Sequence, residues 1–100
     1  MPEELAVNLT LLTQFKQDTT PSERNILRSQ IERSLRRYLN NLEMNDILYI
    51  NEIVSTAMSA SEKVLDIQII EYQVGGVNRP LSNTYPANEE RFMAGNIQIN

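Results

Sequence analysis

Residues 64–72, VLDIQIIEY, decide the fold of this chain because they carry its clearest strand pattern. The apolar side chains Leu65, Ile67 and Ile69 alternate there with polar residues. This period of two predicts a β-strand that has one buried face and one wet face. The Gly-Gly pair at 75–76 follows shortly afterwards and predicts a turn.

Two further segments predict strands that complete a sheet with this one. Residues 5–15, LAVNLTLLTQF, place four apolar side chains on one side of an extended chain: Leu5, Val7, Leu9 and Leu11. Residues 96–100, NIQIN, follow Gly95 and place Ile97 and Ile99 on one face. Both segments therefore predict strands with a single apolar face.

The segment after Thr20 predicts a long helix. Thr20 is suited to cap the free N–H groups of the first turn, Pro21 suits the first helical position, and Glu23 completes a capping box. The helix should run to about Asn41. Its apolar stripe consists of Leu27, Ile31, Leu35, Tyr38, Leu39 and Leu42.

A second, shorter helix is predicted to begin at Asn51 or a neighbour. Its apolar side consists of Ile53, Val54, Ala57 and Met58. Together these segments predict a single α+β domain over residues 1–100, with two helices packed on one face of a small mixed sheet. A long loop or hairpin arm is predicted near the C-terminus, where Pro80 and Pro86 lie among Asn, Ser and Thr.

The composition excludes several classes of function. The chain has no cysteine and no histidine, so Ser-His-Asp and Cys-His catalysis are excluded within it, as are thiolate metal sites. The adjacent pairs Glu3-Glu4 and Glu89-Glu90 do not converge on one point in most conformations. We therefore expect no enzyme activity, no cofactor, no metal and no small-molecule substrate. No segment approaches the ~20 apolar residues of a membrane helix, so we expect no membrane partner.

An arginine-rich face on the first helix is the first candidate interaction surface. Arg33, Arg36 and Arg37 project from the side opposite the apolar stripe. They are interpreted either as a docking surface for an acidic partner or phosphate, or as a solvated helix face. Nucleic acid is not expected as a partner, because the net charge is −4 and interleaved aromatic residues are absent from this segment.

The segment from Gly75 to Ala94 is the second candidate surface. A structureless loop of this length is uncommon in a compact domain and is often functional. One interpretation is an arm that reaches a neighbouring subunit, with Tyr85, Arg91 and Phe92 as contacts. The other interpretation is a mobile loop. The strand that contains Ile97 and Ile99 is a further candidate, because a strand at a sheet edge accepts an added strand.

The order of segments resembles the C-terminal domain of baseplate J-like proteins of contractile-tailed phages. The resemblance is carried by the Arg37-Tyr38-Leu39-Asn40 helix end, the short apolar segment 47–50, the Asn51-Glu52-Ile53 helix start, and the strand 64–72. The ending AGNIQI, residues 94–99, resembles the closing strand of that family. One departure is Ser61-Glu62-Lys63 where family members often carry a Pro-Gly-Val turn.

The resemblance implies a structural role with no substrate. It implies a wedge component of a virion baseplate, assembled in the host cytoplasm, with other baseplate wedge proteins and copies of itself as partners. It also implies that the chain is a fragment of a longer baseplate protein or a short relative of one. The alternative is a stand-alone adaptor or regulatory protein-binding module of similar fold, which would be cytoplasmic.

Overall fold

A computed structural model describes residues 3–100. Its elements are β1 (Glu3–Phe15), α1 (Pro21–Asn40), α2 (Ile50–Met58), β2 (Val64–Val74), β3 (Val77–Asn78) and β4 (Glu90–Ile99). The four strands form one sheet in the order β3-β2-β1-β4. β1 lies antiparallel to β2 and parallel to β4. The sheet is therefore mixed, and the predicted α+β class is confirmed.

The core lies between one face of the sheet and both helices. β1 contributes Val7, Leu9 and Leu11, which are almost fully buried as their alternation predicts. The remaining buried hydrophobic residues are Phe15, Leu27, Ile31, Leu35, Leu39, Leu48, Ile53, Ala57, Val64, Ile67, Ile69, Tyr72, Val74, Phe92, Ala94 and Ile97. Because all of them belong to one cluster, the helices and the sheet share a single core.

Helix α1 begins as its sequence predicts. The Thr20 side chain accepts a hydrogen bond from the Glu23 backbone N–H, and the Glu23 carboxylate accepts one from the Thr20 N–H. This capping box satisfies two of the N–H groups that a helix start leaves free. The predicted stripe is buried at Leu27, Ile31, Leu35 and Leu39. Neither helix within residues 3–100 combines the length and apolar character of a membrane span.

Strand β2 differs from its predicted pattern at one residue. Leu65 is half-exposed, whereas Val64 and Ile67 are buried. The register between β1 and β2 shifts at this point, where Phe15 pairs with Val64 and Gln14 pairs with Asp66. Leu65 is thus the extra residue of a β-bulge, which turns its side chain away from the core.

Of the long loop or hairpin arm predicted for residues 75–94, the structure contains a shorter loop between β3 and β4, residues 79–89. The turn at Gly75 and Gly76 is confirmed, and both glycines have positive φ. The prediction is wrong further along because strand β4 already begins at Glu90. The intervening loop pairs with the segment before α2, where Leu48 and Thr84 exchange two backbone hydrogen bonds of 3.0 and 2.9 Å.

Candidate interaction surfaces

Arg36 connects helix α1 to strand β4 and is only partly available to a partner. Its guanidinium forms an ion pair with Glu32 at 2.8 Å. The same group donates a hydrogen bond of 3.3 Å to the Gly95 carbonyl oxygen, in the edge strand. These contacts give Arg36 a structural role, and its predicted role in partner binding stays a prediction.

Arg33 and Arg37 are exposed and make no ion pair within residues 3–100. Arg37 lies in the last turn of α1, where a cation interacts favourably with the helix dipole. Arg33 instead lines a groove of about 500 Å³ between α1 and the end of β4. The other residues that line this groove are Arg28, Ser29, Glu32, Ile97 and Ile99. Arg33 and Arg37 therefore carry the same charge in different surroundings.

Arg28 connects the arginine-rich face to the core. Its guanidinium carbon lies 5.4 Å from the centre of the Phe15 ring, within the range of a cation–π contact. One of its terminal nitrogens donates to the Asn25 side chain at 3.1 Å. Its Nε is buried and has no hydrogen-bond partner within residues 3–100. Arg28 was not identified as a site residue from the sequence.

Four exposed apolar side chains lie on or next to two segments that hydrogen-bond to each other, one between α1 and α2 and the other between β3 and β4. We call them the loop-end surface, and they are Met44, Tyr49, Leu81 and Tyr85. Tyr85 is the most exposed of the four, at 68%. Sequence reasoning identified Tyr85 but missed the other three, because a single apolar residue in a loop carries no periodicity. Only the pairing between residues 45–50 and 83–90 brings the two segments together.

The loop-end surface is held in place by several hydrogen bonds. The Asn83 side chain accepts from the Ile50 N–H at 3.0 Å and so caps α2, whose own N-cap residue, Tyr49, makes no side-chain cap bond. The Tyr72 hydroxyl is hydrogen-bonded to the Thr84 hydroxyl, and burial raises the pKa of the Tyr72 phenol. This hydrogen bond joins the loop to β2.

Arg91 points into its own chain. Its Nε donates to the Leu42 carbonyl at 2.7 Å, and its Nη2 donates to the Asn40 carbonyl at 2.6 Å. These carbonyls lie at the C-terminal end of α1, where backbone acceptors lack helical partners. A weaker ion pair joins Arg91 to Glu4 at 3.7 Å. Arg91 therefore fastens β4 to the end of the helix, and the prediction that it contacts a partner stays untested.

Phe92 is a core residue, and its predicted role as an exposed contact is wrong. It is 1% exposed and pairs in register with Leu5 of β1. The prediction failed because β4 begins at Glu90, which places the Phe92 side chain on the helix-covered face of the sheet. An alternation of only a few residues after a proline-containing loop gave no clear sign of this strand start.

A shallow hollow of about 430 Å³ lies beside the loop-end surface. It is lined by Tyr38, Leu42, Asn45, Asp46, Ile47, Tyr49 and Glu52. Burial raises the pKa of the Tyr38 phenol, and the nearby Glu52 carboxylate adds to that effect. Its lining thus combines aromatic, aliphatic, amide and carboxylate side chains.

Within residues 3–100, no group of three or more His, Cys, Asp or Glu side chains is arranged to hold a metal ion. No protein-family model matches the chain, and no curated protein matches it.

Proposed function

We propose that this chain is an assembly domain of a contractile-tail baseplate wedge, which acts by binding neighbouring wedge proteins and copies of itself. The observation that carries the proposal is the loop-end surface, in which Tyr49, Leu81 and Tyr85 are exposed on a hydrogen-bonded framework. Exposed apolar residues that share one region of a surface are typical of protein–protein contacts, and tyrosine is enriched at their energetic centres.

The position of this surface supports the baseplate proposal. Tyr49 belongs to the short apolar segment that carries part of the resemblance to baseplate J-like proteins, directly before the Asn51-Glu52-Ile53 helix start. Such a segment is free to contact a neighbour because only part of it is used by the core, where Leu48 is fully buried. The proposed location is a virion baseplate that assembles in the host cytoplasm.

The proposal is tested by measuring mass in solution, with the chain alone and mixed with the wedge proteins encoded beside it. We expect a complex that the combined substitution Leu81→Ser and Tyr85→Ser abolishes. Ile26→Ser serves as the matched control, since Ile26 is exposed to a similar degree but lies on α1 away from the loop end.

The proposal is overturned if no complex forms with any of these wedge proteins, or if the control and the loop-end variant weaken it equally. Binding of proteins unrelated to tails in place of wedge proteins would favour the adaptor alternative. Circular dichroism should show that both variants keep their fold, since the substituted side chains are exposed.

A further inference from the structure

Strand β4 forms one edge of the sheet along its whole length. The strand order places β3 and β4 at the two edges, and β3 has only two residues whereas β4 has 10. An edge strand presents unpaired N–H and C=O groups, which another chain can pair with. The ten residues of β4 allow several backbone bonds to form at this edge. At the other edge β3 pairs only with Gln73 and Val74, so the rest of β2 has no strand beside it on that side within residues 3–100.

The first half of the β4 edge is already occupied by its own chain. The Glu90 carbonyl accepts from the Asn45 N–H at 2.9 Å, and the Ala94 N–H donates to the Asn40 side chain at 2.9 Å. The Gly95 carbonyl accepts from Arg36 at 3.3 Å. The end of α1 and the following linker therefore cover the edge up to the register shift at Gly95 and Asn96.

The second half of the edge is open. The Asn100 N–H bonds to the Leu11 carbonyl, and the Asn100 carbonyl accepts from the Thr13 N–H, both at 2.8 Å. Residues that bond to a neighbouring parallel strand alternate with residues that point away. The backbone groups of Ile97 and Ile99 therefore point away from β1, and they have no hydrogen-bond partner within residues 3–100.

The surroundings of this open edge are positively charged. The groove beside Ile97 and Ile99 contains Arg28, Arg33 and Glu32. Glu32 is neutralised by its ion pair with Arg36. Arg33 has no ion pair within residues 3–100, and the buried Nε of Arg28 has no hydrogen-bond partner there. The chemistry of the groove is thus complementary to carboxylates.

We propose that the edge at residues 96–99 accepts an extended, acidic segment of a partner protein as an added strand. The backbone of that segment bonds to the outward groups of Ile97 and Ile99, and its carboxylates lie against Arg28 and Arg33. A second copy of the chain fits less well, because edge-to-edge pairing would bring two identical sets of arginines together. This inference rests on the proposed function in one respect only, namely that the chain binds another protein.

The electrostatic part is tested by fluorescence anisotropy with a labelled peptide in which valine alternates with glutamate. A peptide in which valine alternates with lysine is the control ligand. We expect only the glutamate peptide to bind, and Arg33→Glu to weaken it by about fivefold or more. Arg37→Glu makes the same charge change outside the groove and should alter the affinity by less than about twofold. Equal binding of both peptides, or equal effects of both substitutions, would overturn the inference.

The backbone part is tested by amide hydrogen exchange of the intact chain with and without saturating glutamate peptide. The N–H groups of Ile97 and Ile99 should become protected, because they would then be bonded to the added strand. Ile99→Pro should abolish binding, since it removes one outward donor, while Ile99→Val should preserve it. Unchanged exchange at both residues would exclude strand addition, even if the proline variant fails to fold. If the peptide does not bind but the wedge proteins do, the inference about this edge fails while the proposed function is retained.

Discussion

The Glu23 carboxylate makes contacts in two directions at the start of α1. It accepts from the Thr20 backbone and hydroxyl within the capping box, and it forms an ion pair with Lys63, the residue directly before β2. These contacts link the start of α1 to the loop between α2 and β2. This loop lies at the end of the molecule opposite the loop-end surface. One half-exposed side chain therefore joins two elements that are 40 residues apart.

The pH dependence of this contact follows from the two pKa shifts. The Lys63 hydrogen bond lowers the pKa of Glu23 below 4.5, so the contribution to stability is complete above pH 4.5 and is lost as the pH falls through the lowered pKa. Glu23 likewise raises the pKa of Lys63 above 10.5, so that contribution is lost as the pH rises through the raised value. Glu23→Gln should flatten the loss of unfolding free energy below pH 4.5. Urea unfolding across pH checks this, and Glu62→Gln, which removes no ion pair within residues 3–100, should leave the curve unchanged.

Gly95 is required by a close approach between β1 and β4. A Cβ atom at this position would lie 2.3 Å from the Asn8 side-chain oxygen and 3.0 Å from the Val7 carbonyl oxygen. The Asn8 oxygen is fixed because it accepts from the Asn96 N–H at 2.8 Å. Gly95→Ala should therefore lower the free energy of unfolding by about 1–3 kcal/mol.

Urea unfolding measures the effect of Gly95→Ala, and a double-mutant cycle with Asn8→Ala identifies its cause. In the Asn8→Ala background the additional loss should be smaller, because the closest contact is gone. An equal loss in both backgrounds would mean that the clash with Asn8 is not the origin of the effect.

At the scale of elements, features that depend on residues close together in the sequence were predictable. Features that depend on contacts between distant parts of the chain were not. The start of α1 and its buried stripe depend on residues that are close together in the sequence, so both were predicted. The start of β4 depends on pairing with β1, which is distant along the chain, and Phe92 was therefore misplaced. The start of α2 depends on Asn83, which is 33 residues away from Ile50. Of the candidate site, the arginines were recognised from helical spacing, but the groove beside Ile97 required the packing of α1 against β4.

The cap on α2 yields a prediction at the same scale. Asn83→Ala removes the acceptor for the Ile50 N–H, and helix-capping losses are typically about 0.5–2 kcal/mol in the free energy of unfolding. Ser82→Ala is the control, because the Ser82 hydroxyl makes no hydrogen bond within residues 3–100. Chemical denaturation should separate the two variants, and equal stabilities would show that the cap contributes nothing measurable.

At the scale of the whole molecule, the chain is elongated, with extents of 49 × 22 × 19 Å. The loop-end surface lies at one end of the sheet, and the open part of the β4 edge lies toward the other. A domain of this shape can contact two partners at once without overlap between them. The two surfaces should therefore be separable by substitution, as the experiments on Tyr85 and Arg33 require.

Substitutions at two aromatic residues that lie close together in the sequence test which side chains belong to the core and which to the surface. Phe92→Ala should cost about 3–5 kcal/mol of unfolding free energy, because it empties a fully buried position. Tyr85→Ala should change stability by no more than about 0.5 kcal/mol, because its side chain is exposed. Thermal and urea unfolding measure both, and a large loss for Tyr85→Ala would show that this residue supports the fold.

The parallel pairing of β1 with β4 has a mechanical consequence. Residue 3 lies at one end of this pairing and residue 99 at the other, so tension applied between them acts along the strands. Such tension loads all the hydrogen bonds of the pair in shear, whereas tension between residues 3 and 90 opens them one after another. Because the chain has no native cysteine, Glu3→Cys combined with either Gln98→Cys or Glu90→Cys provides unique attachment points. Optical tweezers should find the higher rupture force for the first pair.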